Sequence, residues 1–266
     1  MVTGEPAGET VGGLMRGWRK RRRMSQLQLA LEADVSARHL SFVESGRAGA
    51  SRELLQRLGE GLSMPLRDIN RLLVAGGYAP VHREHALDDP DMAAAREAVS
   101  AVLEGHRPYP AIAVDRHWTL LLANAPALAL MTGLPERLTR PPVNVLRATL
   151  DPEGLAPRIV NLAEWRHHLL ARLRAEFAAS ADAELARLHD ELAALPAPAG
   201  KAPPVKLSPV AVPLMLRGEG GVVLSFLSTT TVFGTACDVT LSELTLECFF
   251  PADEATRRWF LDREAG

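Results

Sequence analysis

The sequence predicts an all-α N-terminal helix-turn-helix domain of five helices, followed by an α+β domain built on an antiparallel sheet. Three observations lead there. Residues 25–47 read as two capped helices joined by a tight turn. Residues 1–75 hold twelve Lys/Arg and eight Asp/Glu, a net +4, so in a chain of net −2 the remainder carries −6. Beyond residue 110 the pattern changes to short runs rich in β-branched and aromatic residues. The divisions that follow are a disordered N-terminus over 1–11, a helical domain over 12–75, a linker over 76–91 and a second domain over 92–266.

In the helical domain, Leu14, Met15 and Trp18 give the first helix an apolar face. Arg16, Arg19, Lys20, Arg21, Arg22 and Arg23 give it a basic one. Ser25 can cap the second helix, and Gln28 completes a capping box. Leu29, Ala30 and Ala33 fall on one side, and small Ala30 allows a close crossing. Asp34 and Val35 form the turn, Ser36 can cap the third helix, Leu40 and Val43 face inward, and Gly46 ends it. Ala37, Arg38, Ser41 and Phe42, with His39 beside them, face outward on a helix of the width that enters a major groove. Ser51 can cap a fourth helix carrying Leu54, Leu55, Leu58 and Leu62, and Pro65 opens a fifth with Ile69, Leu72 and Leu73 inside.

Composition narrows the function classes. A hydrophobic content of 47% is that of a globular chain. No apolar run approaches the roughly 20 residues that span a bilayer, and no secretion signal is read at the N-terminus, so a cytoplasmic protein is expected, without membrane partners. Cys237 and Cys248 form no C-x-x-C pair, the tandem His167–His168 belongs to no H-E-x-x-H, and neither a metal nor a cofactor is expected.

The second domain opens with an alanine-rich helix over 92–106. Ala111–Val114 and Trp118–Ala123 read as strands around the polar turn Asp115-Arg116-His117, and Asn124 can cap a short helix. Two helices are expected around Ile159–Phe177 and Asp182–Leu195, then an exposed proline-rich loop from Pro196 to Pro209. Val210–Leu216 and Val222–Phe226 flank the glycine turn RGEGG, Thr229–Phe233 and Leu244–Phe250 read as further strands, and a C-terminal helix carries Trp259 and Phe260. No G-x-S-x-G elbow and no acid, base and nucleophile set with usable spacing is present, so an enzyme is not expected.

Q-x-x-L-A at Gln26–Ala30, V-S at Val35–Ser36 and L-S-x-x-E-x-G-R at Leu40–Arg47 resemble the phage Cro/CI-type (XRE) DNA-binding domain over roughly residues 12–75. That family often has a proline where this chain has Ala50. The strand–turn–strand–Asn–helix order after residue 110 resembles the opening of a PAS domain. PPVNVLR, GLAPRIVNLAEWR, LSFLSTTTVFGT and DVTLSELTLECFFPAD, in that order, resemble the MmyB-like ligand-binding domain over roughly residues 96–262. The resemblance implies a PAS-like fold with an apolar cavity, for which a fatty acid is the suggested ligand.

The expectation is a sequence-specific transcriptional regulator that binds double-stranded DNA as a homodimer. Arg38 can pair with guanine O6 and N7. Ser36, Ala37, His39, Ser41 and Phe42 lie around it, and Gln26 and Arg47 fix the frame on phosphates. Trp118, Asn144, Arg147, Asn161 and Arg166 are the candidate ligand-binding residues, with Arg147 or Arg166 the cation for a carboxylate at the mouth of an apolar pocket. Two other readings stay open: a repressor whose second domain is a ligand-free assembly platform, and an enzyme with an attached DNA-binding domain. A pocket lined by Leu, Val and Phe favours the sensor, a solid core the platform, and a polar cleft the enzyme.

Overall fold

Helix starts follow the side chains able to satisfy free N–H groups. In a computed structural model, which describes residues 9–196 and 212–264, Thr10, Ser36 and Ser51 each accept a backbone N–H at the start of a helix. Ser25 and Gln28 form the full capping box. The resulting helices are α1 (Val11–Arg21), α2 (Gln26–Glu32), α3 (Ala37–Glu44), α4 (Arg52–Gly61) and α5 (Leu66–Ala75). Asp34 in the turn and Gly46 after α3 both take positive φ, 52° and 73°. Met15, Trp18, Leu29, Leu40, Leu55, Leu58 and Leu72 form one core. At Gly12 the backbone of α1 passes so close to the end of α3 that a Cβ would collide with the Glu44 carbonyl oxygen.

The chain divides into two compact units. One runs to His85 and includes Thr235–Ser242, and the other holds Ala86–Gly234 and the residues from Glu243 onward. The first half of the expected linker therefore belongs to the first unit. Asn70 accepts the N–H groups of Val81 and His82 and donates to the His82 carbonyl, and Tyr78 donates its hydroxyl to the Ala50 carbonyl at 3.0 Å. Within the same unit, His85 Nδ1 lies 2.8 Å from an Asp238 carboxylate oxygen, and Val239 N–H donates to the Arg83 carbonyl. The amide of Asn70 supplies to this stretch the partners that regular structure would give, which its lack of periodicity did not disclose. The expected disorder of 1–11 falls mainly on residues outside those described, but α1 already begins at Val11.

The second unit contains α6 (Ala93–Gly105), β1 (Ala111–Val114), β2 (Leu120–Ala123), α7 (Ala125–Leu130), α8 (Glu136–Thr139), α9 (Val145–Leu150), α10 (Leu162–Ser180), α11 (Ala183–Ala194), β3 (Leu214–Arg217) and β4 (Val223–Val232). After the short α12 (Val239–Glu243), most of which belongs to the first unit, it closes with β5 (Thr245–Pro251) and α13 (Glu254–Glu264). The strands form one antiparallel sheet in the order β2-β1-β5-β4-β3, so the C-terminal strand lies at its centre. Val222–Phe226 and Thr229–Phe233 are not separate strands. Leu227 and Ser228 pair with Phe250 and Phe249 of the neighbouring strand, so β4 runs through them. Of the expected proline-rich loop, all but Pro196 lies outside the described residues, as does the start of Val210–Leu216.

Asn124 is fully buried and serves as more than a cap. Its oxygen accepts the N–H groups of Ala111 and Ala127, and its amide donates to the Leu103 and Tyr109 carbonyls. One side chain thus ties the end of α6 to β1 and α7.

Candidate functional site

Two sites emerge, one in each unit. The first is α3. Leu40 and Val43 turn it into the core, leaving Arg38 exposed and Ala37, His39, Ser41 and Phe42 partly so. The Arg38 guanidinium lies 5.5 Å from the Phe42 ring centroid, one helical turn on. Ser36 is spent as a cap, accepting from His39 N–H. Arg47 is exposed beyond the helix.

What holds α3 in place is Glu44, a residue to which sequence reasoning assigned no role. It is 4% exposed. Its carboxylate accepts from Arg19 Nε at 2.7 Å and Nη2 at 3.0 Å, and from Gln26 Nε2 at 2.8 Å, while Arg16 donates to its main-chain carbonyl. Burial pushes the Glu44 carboxyl up, but the hydrogen bonds from Arg19 and Gln26 outweigh it and hold the group below its ordinary value. One expectation is corrected here. Gln26 is not simply presented to phosphate, because its amide is engaged by Glu44. The basic face of α1 is largely spent inside the domain as well. Arg16 and Arg19 serve Glu44, Arg22 donates to the Leu62 and Ser63 carbonyls at the end of α4, and Arg21 and Arg22 stack on Trp18. Lys20 on that helix and Arg23 just beyond it are exposed cations for which no such partner is found among the described residues.

The second site is a cavity of about 100 Å³ between the sheet and α7, α9 and α10. Ile112, Val145, Leu155, Leu169, Leu216 and Phe226 form its apolar wall, and His168, Arg172, Ser228 and Glu247 its polar end. The lining residues of α10 are Trp165, His168, Leu169 and Arg172, spaced i, i+3, i+4, i+7 on one face. Arg172 donates through Nη2 to Glu247 at 2.7 Å and through Nε to Glu176 at 3.1 Å, and its guanidinium lies 4.5 Å from the Trp118 ring centroid. Glu247 also accepts from Thr230, its cross-strand neighbour. Burial, reinforced by Arg172, lowers the His168 pKa, which keeps the imidazole neutral at neutral pH.

Of the five expected ligand residues, only Trp118 lines this cavity. It sits at φ +66°, a conformation costly for a residue with a Cβ, and its indole donates to Glu176 at 2.8 Å. Arg147 is paired through two hydrogen bonds with Glu191 on the outside. Arg166 donates to the Leu192, Ala193 and Leu195 carbonyls at the end of α11, where a cation meets unsatisfied carbonyls and the negative end of the helix dipole. Asn144 caps α9. Asn161 pairs with the backbone of Pro213 and Met215 and holds β3 in place. Among the described residues no group of His, Cys, Asp and Glu is placed to hold a metal ion, and no helix is long and apolar enough to cross a membrane.

A helix-turn-helix with a free outer face, joined to a domain that holds a largely apolar cavity, defines a DNA-binding transcription regulator with a small-molecule site. Family models agree: residues 15–69 match the helix-turn-helix family, and residues 95–261, more than half of the chain, match the MmyB-like transcription regulator ligand binding domain. The chain belongs to that MmyB-like family. No curated protein matches it. Two crystal structures of the clp gene regulator ClgR from Corynebacterium glutamicum are similar at 28% identity and a TM-score of 0.24. One match covers 27% of this chain and 92% of that one, the other 40% and 99%.

Proposed function

We propose that this regulator reads a specific operator through α3 and adjusts its grip according to whether a small amphipathic ligand occupies the cavity of its PAS-like second domain. The exposed Arg38–Phe42 face, on a helix fixed from behind by Glu44, carries the DNA half of the reading. A single helix-turn-helix buries little DNA surface, so two chains act together on paired half-sites. The Leu, Val and Phe lining favours a sensor over a ligand-free platform. It also favours a binder over an enzyme with an attached DNA-binding domain, since Arg172 and Glu247 at the polar end are committed to each other. A fatty acid is the ligand that the family resemblance suggests. Its carboxylate would meet Arg172, the lining arginine, rather than Arg147 or Arg166.

Selection of duplexes from a random pool by the full chain, followed by anisotropy titrations of the winner and its single-base variants, tests the DNA half. Arg38→Ala should flatten the preference at one base pair by about 1–3 kcal/mol, the worth of a bidentate guanine contact. An unchanged preference would remove Arg38 from base reading.

A further inference from the structure

We propose that Phe42 is a specificity-determining residue of the operator contact. It holds the Arg38 guanidinium by its face, and it reads the 5-methyl group of a thymine or 5-methylcytosine beside the guanine that Arg38 pairs with. The inference rests on the reading of Arg38 above and deepens it from one base pair to a two-base step.

Arg16, Arg19 and Arg22 spend their N–H groups on Glu44, on the Met24 carbonyl and on the carbonyls at the end of α4. Arg38 forms no hydrogen bond or ion pair among the described residues. Its contact is with the Phe42 ring, 5.5 Å from the guanidinium carbon to the ring centroid. A ring against the face of a guanidinium restrains it without using a donor. The N–H groups stay available along the edge, where guanine O6 and N7 are met in the plane.

Phe42 is itself fixed. Its main-chain carbonyl accepts from Arg47 N–H at 2.8 Å and Ala48 N–H at 3.2 Å, in the turn that ends α3, and the next residue, Val43, is buried in the core. The Phe42 side chain is half-exposed on the face that carries Arg38. The apolar group that a major groove presents to such a ring is the C5-methyl of thymine, or the same methyl on a modified cytosine. Residues four apart on a helix stand about 5–6 Å from each other, and successive bases about 3.4 Å. A ring seated against the guanidinium therefore reaches the base pair next to the guanine. Cytosine and uracil carry a hydrogen in place of that methyl and leave the ring unpacked.

The experiment takes the operator selected by the full chain and replaces its thymines one at a time with uracil, which removes the methyl and keeps the base pairing. Anisotropy titrations compare the wild type with Phe42→Ala, Phe42→Leu and Arg38→Ala. The operator should carry a thymine next to the guanine whose identity Arg38 sets. Uracil there should weaken the wild type about fourfold, the worth of one buried methyl. With a cytosine–guanine pair at that position, methylating the cytosine should tighten binding. Phe42→Ala should be indifferent to uracil and should discriminate less at the guanine, since the guanidinium has lost its ring. Phe42→Leu, apolar but without a π face, should keep the methyl sensitivity and lose part of the guanine preference. The uracil series on the wild type needs no variant to fold. An operator without that thymine, a wild type indifferent to uracil there, or a sensitivity that survives in Phe42→Ala overturns this inference, while a guanine preference lost in Arg38→Ala leaves the reading of Arg38 standing. An unchanged base preference in Arg38→Ala overturns both.

Discussion

At Glu44 a carboxylate is buried in a helical domain and made tolerable by donors from two other helices, Arg19 and Gln26. Such a pair is vulnerable to losing one member, because the other stays behind without its counter-charge. Since the carboxyl is held below its ordinary value, its stabilising effect is complete above that value and is lost as pH falls through the depressed one. Acid titration of the melting temperature should therefore show a loss that sets in as pH falls through the ordinary carboxylate value, about pH 4, and continues down through the depressed one. Glu44→Gln should lower stability at neutral pH and make that acid loss shallower. An acid limb identical to that of the wild type would show that Glu44 does not titrate with unfolding. The motif L-S-x-x-E-x-G-R contains this residue, but spacing alone cannot say that its charge is turned inward. Capping is legible because its geometry is local: Ser25, Gln28, Ser36, Ser51 and Asn124 all do what their positions imply.

Among the elements, α10 shows how far a pattern carries and where it stops. Trp165, His168, Leu169 and Arg172 recur at the spacing of one helical face, which is visible in the sequence and selects Arg172 as the inward arginine. Arg166 follows Trp165 directly and is rotated about 100° from it, so it meets the end of α11 instead. Arg147 illustrates the other limit. Its partner Glu191 is distant in sequence, and only the packed fold brings the two together. The strands were legible in kind, while the central place of β5 follows from long-range pairing with β1 and β4. At the junction of α6, β1 and α7, Asn124→Ala would strip partners from Ala111, Ala127, Leu103 and Tyr109. The expected loss is at least about 3 kcal/mol, combining a lost cap of about 1 with unmet buried groups at about 1–3 each. Asn124→Asp, which keeps the acceptor and loses the donors, should fall between. Urea unfolding followed by tryptophan fluorescence measures both, and a loss under about 1 kcal/mol for the alanine variant would contradict the linchpin role.

For the whole molecule, the charge difference between the halves was readable from composition, but the attachment of the intervening segment was not. Residues as far as His85 are bound into the first unit through Asn70 and Tyr78, and Asp238, from the connection between β4 and β5, is bound there too. The first unit is thereby built from two stretches of chain, the second of them continuous with the strands that wall the cavity. A ligand regulates only if it favours one arrangement of the protein over another, and the resulting coupling is typically about 1–3 kcal/mol. The most direct test is the operator affinity of the full chain, measured by anisotropy with and without a saturating short fatty acid, hexanoate, at fixed salt. A change of about fivefold or more in either direction is the predicted result. An operator affinity that stays the same while calorimetry shows the cavity filled would contradict the claim that this regulator is governed by what its second domain holds.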